Sequence, residues 1–181
     1  TAVVLCNENL LQPVLHSLPQ EVKHVNITMG FPLSQTPVFS YLSSLLDLQI
    51  QGYQPKTGRF TYQEVIAVLK HPYTRRLTPA SEELEKELTK NNRFYPLPSE
   101  LQRDEFLSHL FQPIEDNTQL VKYLTKALEE VAGIYRKEDN SAKSEVFNQL
   151  YRESIFRAYT TLNRFSTLIE EGSLKVQRET F

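Results

Sequence analysis

Residues 24–38 read HVNITMGFPLSQTPV, and the fold class hangs on how that stretch divides. Val25, Ile27 and Thr28 are β-branched and suit a strand. Gly30 lets the chain turn off it, and Phe31 and Leu33 would plug an apolar edge. Thr36-Pro37 has the form of a helix cap followed by the first helical residue. The stretch therefore predicts a strand that stops at Met29-Gly30 and a helix that leaves at Thr36. That helix, PVFSYLSSLLDLQIQG, places Val38, Tyr41, Leu42, Leu45, Leu46 and Leu48 inward and stops at Gly52.

Upstream, Ala2 to Cys6 is an unbroken apolar run of the kind found in strands buried on both faces of a parallel sheet. Leu10, Leu11, Val14, Leu15 and Leu18 then recur at helical spacing. Asn7 or Asn9 could cap that helix, Pro13 falls in its first turn and Pro19 ends it. Strand, helix and strand in so short a span predict a compact βαβ unit, its strands parallel and its crossover right-handed.

Downstream, the polar segment YQPKTGRF marks the clearest boundary, and strand signals fade beyond it. Thr61 with Glu64 forms a capping-box pattern and Phe60 with Val65 a hydrophobic staple. The helix they open ends at His71-Pro72. A charged helix is predicted near 80–90, a loop at NNRFYPLPS and another helix near 100–111. Two long helices follow, about 117–136 and 141–171. The second carries a seam of Phe147, Tyr151, Ser154, Ala158, Leu162, Phe165 and Ile169, closed by Gly172. The fold class expected is thus a small parallel βαβ(α) unit over 1–52 followed by a mainly α-helical subdomain over 53–181.

The totals exclude several classes of function. The 181 residues are 40% hydrophobic and 23% charged, as in ordinary globular proteins. A net charge of -2 offers no whole-chain attraction to nucleic acid or to an anionic membrane, so contact with either requires a local basic patch. No apolar run reaches the ~20 residues that span a bilayer. The single cysteine, Cys6, forbids an internal disulfide and suits a reducing compartment. The opening TAVVLCNENL lacks the basic lead of a signal peptide and reads as a strand already in progress, so a cytoplasmic piece of a longer protein is expected.

Little catalytic chemistry is written in the chain. No phosphate-cradling GxxxxGK[ST] occurs. His16, His24, His71 and His109 are isolated and form no HExxH, and Cys6 has no base placed near it in sequence. Glu21-Val22-Lys23 matches half of a nuclease ExK motif without the required upstream Asp. The acidic run SEELEKEL has the spacing of a solvated helix face. The basic residues are more informative: Lys56 and Arg59 in the boundary loop, Arg75-Arg76 after His71, and Arg93 beside Phe94-Tyr95. Arginine next to aromatic rings can grip a phosphate and stack a base.

The first fifty residues, AVVLCNENLLQPVLHSLPQEVKHVNITMGFPLSQTPVFSYLSSLLDLQ, are similar to the opening of the second RecA-like domain of superfamily 1 (UvrD/RecB-type) helicases. There a strand and helix form motif IV, a second strand follows, and a helix leads into an inserted helical subdomain termed 2B. More narrowly, VNITMGFPLSQTPV resembles AddB/RecB-like PD-(D/E)XK nuclease family proteins of Bacteroides-type bacteria. The resemblance spans residues 1–72; from 73 to 181 it rests on helical content. It implies a partial 2A-type segment over 1–52 and a 2B-like insertion over 53–181.

The family's motif IV arginine has no counterpart here. Cys6, Asn7, Asn9 and Gln12 occupy the corresponding region, and neither Cys6 nor Gln12 can reach a nucleotide as an arginine does. The resemblance then implies a non-catalytic, DNA-handling module. ATP and Mg2+ would be cofactors of the parent and not of this piece. The partners implied are DNA, held weakly and non-specifically, the parent's other domains and a second helicase–nuclease subunit. An alternative class is a helical adaptor that binds a partner protein through 141–171, which requires the Phe147–Ile169 seam to be exposed.

Overall fold

The structure, a computed structural model, describes residues 2–19, 21–22, 24–27, 32–137 and 145–173. Among them the fold is mainly α-helical. The helices are α1 (Leu11–Ser17), α2 (Pro37–Asp47), α3 (Tyr62–Lys70), α4 (Pro72–Leu77) and α5 (Ala80–Lys90), then α6 (Pro98–Leu101), α7 (Glu105–Leu110), α8 (Asn117–Lys137) and α9 (Glu145–Glu170). The one sheet is an antiparallel hairpin of β1 (Tyr53–Gln54) and β2 (Arg59–Phe60), with Tyr53 opposite Phe60.

This overturns the predicted parallel βαβ unit. Ala2–Leu5 and Val25–Ile27 carry no strand, and Val3 and Val4 stand 65% and 86% exposed. Thr28 to Phe31, where the second strand was to end, lie outside the described residues. The physical reason is that a strand buried on both faces needs a ladder partner on each edge and helices above and below. Apolar patterning reports what a segment could bury, not whether a neighbour is there to bury it against.

From Thr36 onward local signals and structure converge. Thr36 Oγ1 accepts from the Phe39 N–H at 3.3 Å and donates to the Leu33 carbonyl at 2.6 Å, fixing the start of α2 with Pro37 as its first residue. Val38, Tyr41, Leu45 and Leu48 are fully buried, and Leu42 and Leu46 pack on the same core. A π turn, Leu48–Gly52, ends the helix. At Gly52 a Cβ would sit 2.9 Å from the Cβ of Glu64, so only glycine lets α3 approach this closely.

Thr61 begins α3, but its hydroxyl donates to the Glu64 carboxylate instead of receiving the Glu64 backbone N–H. The Phe60 and Val65 pair of the predicted staple is fully buried. A single apolar cluster runs from Val38 in α2 through α3, α5 and α8 to Leu162 in α9. The core therefore crosses the 53–60 segment, with α2 packed on both α3 and α9.

The long helices α8 and α9 form the most extensive helix pair. Leu120, Leu124, Ala127, Leu128 and Val131 of α8 are buried, as are Ser154, Ile155, Ala158 and Leu162 of α9. Tyr151 and Ile169 are half-buried and pack against this core, while Phe165 is 36% exposed. The side chain of Phe147 lies outside the described residues. Gly172, at φ 69°, ends α9, and the Ser173 N–H returns to the Leu168 carbonyl at 3.0 Å.

Candidate nucleic-acid interface

The basic residues singled out from sequence divide into two groups. Arg59 lies on β2 and Arg93 on the segment after α5, and both line one open cleft of about 510 Å3. Gln54 and Thr57 complete the hairpin side, and Asn92, Phe94 and Tyr95 the other. Lys56 projects from the adjoining hairpin turn and is exposed. Arg75 and Arg76 stand on α4 and do not line the cleft.

Backbone geometry builds the cleft. The chain leaves α5 through Asn92 at φ 49°, a left-handed conformation that asparagine tolerates better than most residues. It then runs beside the hairpin, with the Tyr62 N–H bonded to the Phe94 carbonyl at 2.9 Å and the Phe60 N–H to Pro96 at 3.0 Å. Arg59 Nη1 donates to the Tyr95 carbonyl at 2.8 Å. This segment, bent at Phe94 and Tyr95, displays two aromatic rings to solvent, Phe94 at 61% and Tyr95 at 53% exposure.

Phe94 is also held from below. Tyr62 meets it edge-on at 6.2 Å, and the Tyr62 hydroxyl is in turn hydrogen-bonded to Thr89 at 2.9 Å. Arg93 Nε donates to Glu100 at 3.0 Å. Glu100 accepts the Leu97 N–H at 2.7 Å, and that bond first, then Arg93, holds its carboxyl below the ordinary range. Neither Asp nor Glu lines the cleft itself, but Glu100 neutralises Arg93 from beside it, so the cleft's positive charge rests mainly on Arg59 and the adjoining Lys56.

Arg75 is engaged differently. It is ion-paired with Glu85 and, at 3.4 Å, with Glu82, while Lys70 also reaches Glu85 at 3.4 Å. Lys86 and then Arg75 keep the Glu82 carboxyl below its usual range. Two of the acids in SEELEKEL thus clamp α5 to α3 and α4. Sequence distance hid this, because partners on packed helices are invisible to i, i+4 counting.

The residues matched to motif IV sit at the start of α1. Cys6 is exposed, the Asn7 side chain accepts from the Asn9 N–H at 3.0 Å, and Asn9 accepts from Gln35 Nε2 at 3.2 Å. They tie the first helix to the turn before α2; Gln12 lies in α1.

One serine–histidine pair invites a catalytic reading, and its hydrogen bonds refuse it. His71 Nε2 is 3.1 Å from Ser40 Oγ, but Nδ1 accepts the Tyr73 N–H at 3.2 Å. Nε2 must then carry the ring proton of the neutral imidazole. Ser40 gives its own hydrogen to the Pro37 carbonyl at 3.0 Å. A ring whose Nε2 is already protonated cannot take a proton from serine. Burial lowers the His71 pKa to about 4, which keeps it neutral.

A second polar feature escaped the sequence reading altogether. Gln49, buried in the π turn, donates to the Gln112 carbonyl at 3.0 Å and accepts from Ile114 N–H at 3.3 Å. His109 Nε2 lies 3.2 Å from the Tyr123 carbonyl and Nδ1 3.0 Å from Gln112. The network fastens the 111–116 connection to the π turn after α2; its only sequence signal was a Gln inside an apolar run.

Among the described residues, no group of three or more His, Cys, Asp or Glu could hold a metal ion. No described helix is long and apolar enough to cross a membrane. What fold and cleft define is a helical body with an arginine–aromatic cleft on one edge. Comparison with family models, curated proteins and solved structures gave no match.

Proposed function

We propose that the chain is a non-catalytic, DNA-handling piece of an AddB/RecB-like helicase–nuclease of the cytoplasm, acting in DNA end processing and recombinational repair. The observation that carries this reading is the cleft, where Arg59 and Arg93 meet two exposed aromatic rings with no carboxylate in the lining. ATP and Mg2+ would serve other parts of the parent, and a second subunit would be its protein partner.

Phosphate contacts release counterions, so binding should be weak, indifferent to sequence and steeply dependent on salt. With Arg59 and Lys56 as its cations outside an ion pair, affinity is expected near the 10⁻⁴ M end of non-specific binding. The test is fluorescence anisotropy of a labelled oligonucleotide across a salt series. Lys56→Glu with Arg59→Glu should weaken binding and flatten the log–log salt slope by about one to two units. Arg75→Glu, which breaks an ion pair away from the cleft, should lower the melting temperature and leave the slope unchanged. An unaltered slope in the Lys56/Arg59 variant would refute the assignment. Burial of Ser154, Ala158 and Leu162 within the chain weighs against the adaptor alternative, whose seam residue Phe165 is exposed.

A further inference from the structure

We infer that the cleft is built for an unpaired nucleotide of single-stranded DNA, its base stacked on Phe94 or Tyr95 and its phosphates on Arg59 and the adjoining Lys56. This rests on the DNA-handling reading above and narrows it to a strand whose bases are free. Duplex recognition through phosphates needs cations alone, since paired bases hide their faces. Exposed aromatic rings cost solvation and contribute nothing to such contact. They become useful when a base can lie against them, because every base has a π-face and stacking tolerates any sequence.

The rings are placed for that use. Phe94 is fixed edge-on by Tyr62, whose hydroxyl is anchored on Thr89, so a platform exists before any ligand arrives. Tyr95 follows it on a bent backbone that Arg59 secures through the Tyr95 carbonyl. Arg59 keeps Nε and Nη2 without a hydrogen-bond partner among the described residues, and both are available to phosphate oxygens. A volume of about 510 Å3 lies within the range of small-ligand sites. Gln54, Thr57 and Asn92 supply polar atoms at its rim, which suits contact with sugar and base edges without selecting one base.

The experiment uses the whole chain with three labelled probes: oligo-dT of about fifteen nucleotides, the same strand with abasic sites, and a duplex of equal phosphate number. The expected result is that oligo-dT binds several-fold tighter than either of the others at equal salt. Phe94→Ala should cut oligo-dT affinity about tenfold, the weight of one lost stacking contact, and leave duplex binding and both salt slopes unchanged. Tyr95→Ala provides a second variant, because the carbonyl that holds Arg59 is backbone; thermal melting of both confirms folding. Equal binding of oligo-dT and the abasic strand, with both aromatic variants silent, overturns the single-strand inference while salt-dependent DNA binding stands. Absence of binding to all three probes at low salt overturns that reading as well. Tighter binding of a matched oligo-U RNA strand, titrated as a fourth probe, than of oligo-dT would assign the cleft to RNA and overturn the inference.

Discussion

His71 shows how one side chain ties a cap, a core and a pH response together. Its Nδ1 caps α4 through the Tyr73 N–H, and its ring packs 4.8 Å from Tyr41 and 5.3 Å from Tyr73. Burial depresses its pKa to about 4 and lowers that of His109 too. An unfolded histidine takes up its proton near 6.5. As pH falls below that value the unfolded chain binds protons the folded one refuses. Stability is therefore complete above about pH 6.5 and is lost as pH descends toward 4. His71→Asn keeps an acceptor suited to a helix cap and removes the titration. It should melt lower than the parent at pH 7 and show a flatter fall in melting temperature from pH 7 to 4.5. Equal slopes in the two proteins would show that His71 does not carry the response. The Thr36-Pro37 cap was legible in the sequence because both partners lie within three residues. The role of His71 was not, since Ser40 and Tyr41 approach it only after α2 packs on α3 and α4.

The helices read well where a stripe meets a neighbour, and the strands read badly where it does not. The apolar spacing in α2 and α9 picks out Val38, Tyr41, Leu45, Ala158 and Leu162, which the structure buries, although Phe165 of the same seam is exposed. A helix satisfies its own backbone and needs a partner on one face alone. Ala2–Cys6 carried an equally strong apolar signal, but a strand cannot satisfy its backbone by itself. Its hydrogen bonds depend on what lies beside it, which composition does not encode. The α8–α9 pair permits a sharp comparison. Leu162→Ala, at a buried seam position, should cost about 2–4 kcal/mol, read as a lower urea midpoint. Phe156→Ser, at a position 63% exposed, should change stability by less than about 0.5 kcal/mol. Comparable losses at both positions would mean that Phe156 is also engaged.

For the molecule as a whole, net charge and local charge point in different directions. The chain carries -2, which taken alone argues against nucleic acid. Folding redistributes that charge. Glu82, Glu85 and Glu87 of α5 are drawn into pairs with Lys86, Arg75 and Arg103, and Glu100 is turned onto Arg93 and the Leu97 N–H. The Arg59–Arg93 cleft is left without acid in its lining. The pairing of an arginine with neighbouring aromatics was visible at Arg93-Phe94-Tyr95. That Arg59, thirty-odd positions earlier, would join them was not, because the link is a backbone ladder between the hairpin and 94–96. Photo-crosslinking puts the cleft to trial without relying on affinity. A single strand bearing 4-thiothymidine, irradiated with the chain at low salt and mapped by mass spectrometry, should attach at Phe94, Tyr95 or their immediate neighbours and be competed away by unlabelled strand. Crosslinks confined to α8 and α9, or spread without preference over the surface, would contradict the assignment of DNA to this cleft.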